Sequence, residues 1–140
     1  MKGMTPVLTN QGTMLVATRD AALVEELQRC GGADGWGLSR VSRGQDVLDH
    51  LWPVASERFR ILILDDDLPD VRGGSLLPNI RDLDPDLKVI FVAGEATPEV
   101  EIEARREGVH FFLHKPVGHD ILGRVIRKVM EHETKRYQLA

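Results

Sequence analysis

The chain has 140 residues, 42% of them hydrophobic and 29% charged, which supports one domain with a true core and excludes a disordered segment, a repeat array or a large multidomain enzyme. Lys+Arg 18 against Asp+Glu 22 gives a formal charge of −4, so the basic excess that neutralises a phosphate backbone is missing and direct nucleic-acid binding is not expected. The one cysteine, Cys30, excludes an internal disulfide framework, and no apolar run approaches the ~20 residues of a membrane span or forms an export signal, so a cytoplasmic protein that does not enter the membrane is expected.

Residues 1–12 mix Gly, Pro, Thr, Asn and Gln without periodicity and read as a flexible arm. Residues 13–131 read as the folded domain, and 132–140 as a polar helical extension or tail. Met14-Leu15-Val16-Ala17 predicts the first strand. Asp20 then caps a helix with Leu23, Leu27 and Cys30 on one face, stopped by Gly31-Gly32. A weak strand over 38–41 precedes a helix with Val47, Leu48, Leu51 and Trp52 on one side, ended by Pro53. Ile61-Leu62-Ile63-Leu64 is apolar at every position, the pattern of a central parallel strand buried on both faces. Gly73-Gly74 opens a helix through Leu76, Leu77, Ile80 and Leu83, and Asp84-Pro85-Asp86 turns the chain into the strand Val89-Ile90-Phe91-Val92. Thr97-Pro98 starts a helix and Gly108 stops it, although Val100, Ile102 and Ala104 recur at strand period; the Glu, Ala and Arg content favours helix. A fifth strand is predicted over 109–113, and a last helix with Ile121, Leu122, Val125, Ile126, Val129 and Met130 as its apolar stripe.

Strands alternating with helices predict a doubly wound α/β fold of five parallel strands and five helices, flavodoxin-like, with strand order 2-1-3-4-5. In such folds the chemistry gathers outside the carboxyl ends of the strands. Those ends hold Thr18-Arg19-Asp20, Asp65-Asp66-Asp67, Ala93-Gly94 and His114-Lys115-Pro116. Three aspartates at the mouth of a buried strand call for a cation, and Lys115 is its natural source. A carboxylate facing an ammonium suits the acceptance of a phosphoryl group; an acidic turn beside a snorkelling lysine is the plainer alternative.

The run Asp65-Asp66-Asp67-Leu68-Pro69-Asp70 resembles the phosphoacceptor loop of two-component response regulator receiver domains, with proline four residues after the aspartate that ends the third strand. The stretch from Val89 to Lys115-Pro116 is similar to the fourth and fifth strands of the same family, and the resemblance extends over 13–131. It implies that Asp65 receives phosphate from a histidine kinase or a phosphotransfer protein. It further implies that Lys115 contacts the phosphoryl oxygens and that a downstream protein or output domain reads the state. The domain is then a signalling module and not an enzyme. Phe112 matches the aromatic whose inward rotation reports phosphorylation; plain core packing explains it equally well. The family often dimerises, so a homodimer is among the assemblies implied.

Two positions depart from the family pattern. Its acidic pair after the first strand, which holds Mg²⁺, is replaced by Thr18 and Arg19. Asp20, one residue on, is better read as a helix cap. Mg²⁺ binding is therefore expected to be weak or absent, limited to Asp65 and the Asp67 main-chain carbonyl. Arg19 is expected to fill the vacated space and pair with Asp65 through its planar fork. Ala93 stands where the family has a threonine or serine, so the hydroxyl that follows the phosphoryl group is missing. Together these predict a receiver with slow or absent metal-dependent phosphorylation. An ordinary phosphorylatable receiver with an unconventional metal site is the alternative. A phosphohydrolase with an aspartate nucleophile fits less well, because Pro69 replaces the Thr or Val expected two residues after Asp67. Flavin binding lacks a Gly- or Ser/Thr-rich phosphate loop after the first strand. His110 and His114 are too far apart along one strand face to chelate a metal by themselves.

Overall fold

The short aliphatic runs become the strands of one sheet, and the segments with helical spacing cover its two faces. In the computed structural model, which describes residues 14–31, 37–52, 59–95 and 97–139, the chain runs β1 (Met14–Ala17), α1 (Ala21–Gly31), β2 (Leu38–Val41), α2 (Gly44–Leu51) and β3 (Ile61–Asp65). A 3-10 turn (Gly73–Leu76) then leads into α3 (Leu77–Leu83), followed by β4 (Lys88–Ala93), α4 (Pro98–Arg106), β5 (Phe111–His114) and α5 (His119–Leu139). Every pairing is parallel, in the order β2-β1-β3-β4-β5, as the alternation of elements predicts. Chain order reverses between β1 and β3, which places the binding crevice at the carboxyl ends of those two strands. No helix among the described residues is long and apolar enough to cross a membrane.

Strand alternation divides the core in two. Leu15, Ala17, Leu62, Leu64, Phe91 and Ala93 pack with Val47 and Leu51 of α2, Leu77 and Ile80 of α3 and Ala104 of α4. Met14, Val16, Ile61, Ile63, Ile90 and Val92 pack on the other face, with Leu23 and Leu27 of α1 and Leu122, Ile126 and Val129 of α5. All five residues of β3 are buried, and each aliphatic side chain so enclosed is worth roughly 1.5–3 kcal/mol relative to exposure.

Several expectations need correction. Trp52 is 71% exposed: α2 ends at Leu51, and Trp52 lies a helical turn after Leu48 on the shoulder of the stripe, not on its buried centre. Ile121 is likewise 44% exposed, while Leu122 and Ile126 carry the buried face of α5. The last strand starts at Phe111, two residues later than predicted. In α4 the strand-like alternation is overruled. Thr97 Oγ1 accepts from the Val100 N–H at 3.3 Å, Pro98 takes the first turn, and Ala104 is buried while Ile102 is exposed. Gly108, at φ 90°, lets the chain leave α4 in the left-handed region. The proposed arm at 1–12 and the Pro53 stop lie outside the described residues, and α5 continues to Leu139.

The loop after β3 is tied down at both ends. The Asp66 N–H donates to Val92 O at 2.9 Å, and Asp66 O and Oδ1 accept from the Gly73 and Gly74 N–H groups, each at 2.9 Å. Asp70 closes over the start of α2, its Oδ1 accepting from Gly44 N–H at 2.8 Å and its Oδ2 from Gln45 N–H at 3.0 Å. Those N–H groups, Gly44 foremost, hold the Asp70 carboxyl below the usual aspartate range. Gly73 sits against the backbone that carries Asp65: a Cβ there would run into the Asp65 carbonyl oxygen and come within 3.1 Å of Asp66 Cα. Because the obstacle is main chain, Gly73→Ala is expected to destabilise the domain by about 1–3 kcal/mol, read as a lower urea midpoint at unchanged slope.

Candidate functional site

Parallel register decides which side chains meet at the mouth of the sheet. Ala17 pairs with Leu64, and the Thr18 N–H still donates to Val41 O at 3.0 Å, so the next register pair is Thr18 beside Asp65. Both continue the alternation of Met14, Val16, Ile61 and Ile63, the face covered by α1 and α5. Lys115 continues Phe111 and Leu113 on that same face, its N–H donating to Ala93 O at 3.0 Å and its peptide bond to Pro116 being cis.

The three side chains converge. Asp65 is 0% exposed. Its Oδ2 accepts from Thr18 Oγ1 at 2.6 Å and from Lys115 Nζ at 2.7 Å, and its Oδ1 accepts from the Asp67 N–H at 3.0 Å. Thr18 is also fully buried, and its hydroxyl oxygen accepts from the Asp20 N–H at 3.0 Å. The expected meeting of Asp65 and Lys115 is therefore present in the structure, with Thr18 as a third member.

Arg19 is not where the sequence places it. Its guanidinium pairs with Asp67 Oδ1 at 2.9 Å, both side chains more than half exposed, and it does not reach Asp65. The reason is alternation: with Thr18 turned inward against Asp65, the next side chain points away. Lys115 supplies the inner cation instead. Arg72 makes a similar surface pair with Asp66 Oδ2 at 3.1 Å.

Asp20 does two things. Its Oδ1 accepts from the Ala22 N–H at 3.0 Å, as a helix cap should, and its Oδ2 reaches Lys115 Nζ at 3.1 Å. The cap is predicted; the reach to Lys115 is not. The signal was available, since Asp20 stands one residue beyond the family's acidic pair. Partial burial works against the Lys115 ammonium, but hydrogen bonds and charge from Asp65 and Asp20 outweigh it and hold its pKa above the ordinary lysine value. Burial likewise favours the neutral form of Asp20, yet Lys115 and the N–H groups of Ala22 and Leu23 carry its pKa below the usual aspartate value.

Ala93 and Phe112 lie on the opposite sheet face from Asp65. Both are buried in the core beneath α2, α3 and α4. Phe112 stacks on Phe91 with ring centroids 5.6 Å apart, meets His114 edge-on at 5.3 Å, and has the Arg105 guanidinium 6.0 Å from its centroid. Phe112 therefore points inward and is well packed. His110 precedes β5, its ring Nδ1 accepting from the Val89 N–H at 3.2 Å, whereas His114 ends the strand.

The profile of the response regulator receiver domain matches residues 14–127. Among curated proteins, the chain is 28% identical over 101 residues to the luminescence regulatory protein LuxO of Vibrio campbellii, covering 72% of this chain and 22% of that protein. It is 24% identical over 128 residues to the DNA-binding transcriptional regulator NtrC of Escherichia coli, covering 91% and 27%. The chain thus spans about a quarter of the length of these relatives. Among solved structures, the CheY-like receiver domain protein of Methanospirillum hungatei superposes with a TM-score of 0.76 at 25% identity, covering 88% of this chain and 97% of that one. The signal receiver domain of a LuxO repressor protein from Vibrio parahaemolyticus gives 0.80 at 19%, covering 91% and 96%. A five-stranded sheet in receiver order, an aspartate and a lysine meeting at its mouth, and a profile match across most of the chain converge on one conclusion: this chain belongs to the response regulator receiver domain family of two-component signalling.

Proposed function

We propose that this receiver signals through protein contacts from an Asp65 site that is already charge-compensated, with little or no Mg²⁺-dependent phosphorylation. The observation that carries this reading is the enclosure of Asp65, whose carboxylate accepts from Thr18, Lys115 and the Asp67 N–H. Attack on a phosphodonor would require Asp65 to shed partners and become accessible, and it would bring anion to anion with Lys115 as the one inner cation among the described residues. The residues present do not suit a divalent ion. The Thr18 hydroxyl donates to Asp65, Arg19 is a permanent cation holding Asp67, and Asp20 is held by Lys115. Among the described residues, no group of three His, Cys, Asp or Glu could hold a metal. What is left is an Asp65 oxygen and the Asp67 main-chain carbonyl, too few for the near-octahedral oxygen shell that Mg²⁺ demands. A histidine kinase or phosphotransfer protein upstream, an output domain or protein downstream, and a homodimer belong to the same proposal, as does a cytoplasmic location.

The decisive experiment is acylphosphate labelling with and without a chelator. The wild-type chain is expected to show no chelator-sensitive label at Asp65, and Thr18→Asp combined with Arg19→Asp is expected to gain one. Normal, chelator-sensitive labelling of the wild type would establish the ordinary phosphorylatable receiver instead.

The ion cluster also fixes how stability depends on pH. Lys115 has a raised folded pKa, so its contribution is complete below the unfolded lysine value of about 10.4 and is lost as pH rises through the folded value. Asp20 has a lowered one, so its contribution is present above about pH 4 and is lost as pH falls through the folded value. Lys115→Met leaves a buried carboxylate without its cation and is expected to cost on the order of 3 kcal/mol at pH 7. In urea titrations its deficit against the wild type should narrow as pH rises above about 10 and through the raised folded value of Lys115. Asp20→Asn, at a partly exposed position, should cost no more than about 1 kcal/mol, a difference that fades below about pH 4.

A further inference from the structure

Helices α2 and α3 enclose a groove of about 320 Å³ to which neither Asp65, Thr18 nor Lys115 contributes. Its apolar lining is Leu48, Leu83 and Trp52, and Trp52 is the most exposed of the large hydrophobic side chains described. Among the described residues its charged lining groups are Asp49 and Asp82, both exposed. Asp49 accepts from Gln45 Nε2 at 3.0 Å, and Asp82 has no ion-pair partner among the described residues. The neighbouring cation Arg81 is turned to the other side, with Nη2 on Glu107 Oε1 at 2.8 Å and Nη1 on Glu107 O at 2.9 Å. The exposed indole thus continues the apolar strip of Leu48 and Leu83, and it stands beside two carboxylates that no ion pair among the described residues balances.

We propose that the groove is a docking site for a partner segment that carries an Arg or Lys next to an apolar side chain. The apolar group seats against Leu48, Leu83 and the Trp52 indole, and the cation is held by the Asp49 and Asp82 carboxylates. An electron-rich indole face adds attraction for the same cation, and an acidic partner is rejected by like charge. The walls are rigid before any partner arrives: Val47 and Leu51 root α2 in the core, Leu77 and Ile80 root α3, and Asp70 fixes the first turn of α2. Binding therefore orders little of the receiver itself. This surface is separate from the Asp65 site and does not depend on the phosphorylation state proposed above.

The test uses the full chain carrying Trp36→Phe, so that Trp52 is the single indole. The probes are a short peptide of leucines flanked by arginines and its counterpart with glutamate for arginine. The arginine peptide is expected to shift Trp52 emission to shorter wavelength saturably, and the glutamate peptide to do nothing. Asp49→Asn with Asp82→Asn should weaken binding about tenfold, and Trp52→Ala should abolish it in calorimetry. Reversing the charges with Asp49→Lys and Asp82→Lys should transfer binding to the glutamate peptide, a gain that unfolding cannot produce. The proposal is overturned by no saturable response up to about 1 mM, by an affinity indifferent to the two aspartates, or by a wild-type dimer that Trp52→Ala dissociates. The last result would assign the groove to a second copy of the chain.

Discussion

A carboxylate with no access to water sits at the end of the most buried strand of this domain, and the surroundings are arranged to make that tolerable. Enclosing an ionised group costs several kcal/mol unless its lone pairs and its charge are both answered. Thr18 and the Asp67 N–H answer the first requirement for Asp65, and Lys115 answers both. The ammonium comes from the residue after β5 and reaches across β4, which presents Ala93 to the opposite face. Asp20 then shares that ammonium while anchoring the start of α1, so one cation joins β3, β5 and the first helix.

The arginines around the mouth belong to a weaker tier. Arg19 with Asp67 and Arg72 with Asp66 are short pairs, but their guanidinium side chains are more than half exposed, and ion pairs in that setting contribute a few tenths of a kcal/mol to 1 kcal/mol at most. They shape the potential that an approaching anion meets and add little to folding. The inner cluster and the outer rim are thus distinct in energy although they share one loop.

Much of the scaffold was legible because its signals are local and redundant. The all-apolar run at 61–64 has the pattern of a doubly covered strand, and stop signals such as Gly108 fall where the chain turns. Asp65 and Lys115 were legible because charge appears abruptly where such strands end. Arg19 was misplaced because a sequence shows that two residues are adjacent but not that they face opposite ways; once Thr18 occupies the inner position, Arg19 is excluded from it. Trp52 and Ile121 were misplaced for a related reason, since a helical stripe has shoulders that periodicity alone does not separate from its centre. The hydrogen bonds of Asp70 carry no local signature, because their partners lie far back in the chain.

Those bonds bind the loop after β3 to a helix twenty-six residues upstream. Because both oxygens of one aspartate are engaged by the opening amides of α2, a loop that loosens takes support from the first turn of the helix, and a frayed first turn releases the loop. Two segments distant in the chain are therefore coupled, and an insertion between Pro69 and Val71 would be felt in the first turn of α2 as well as in its own loop.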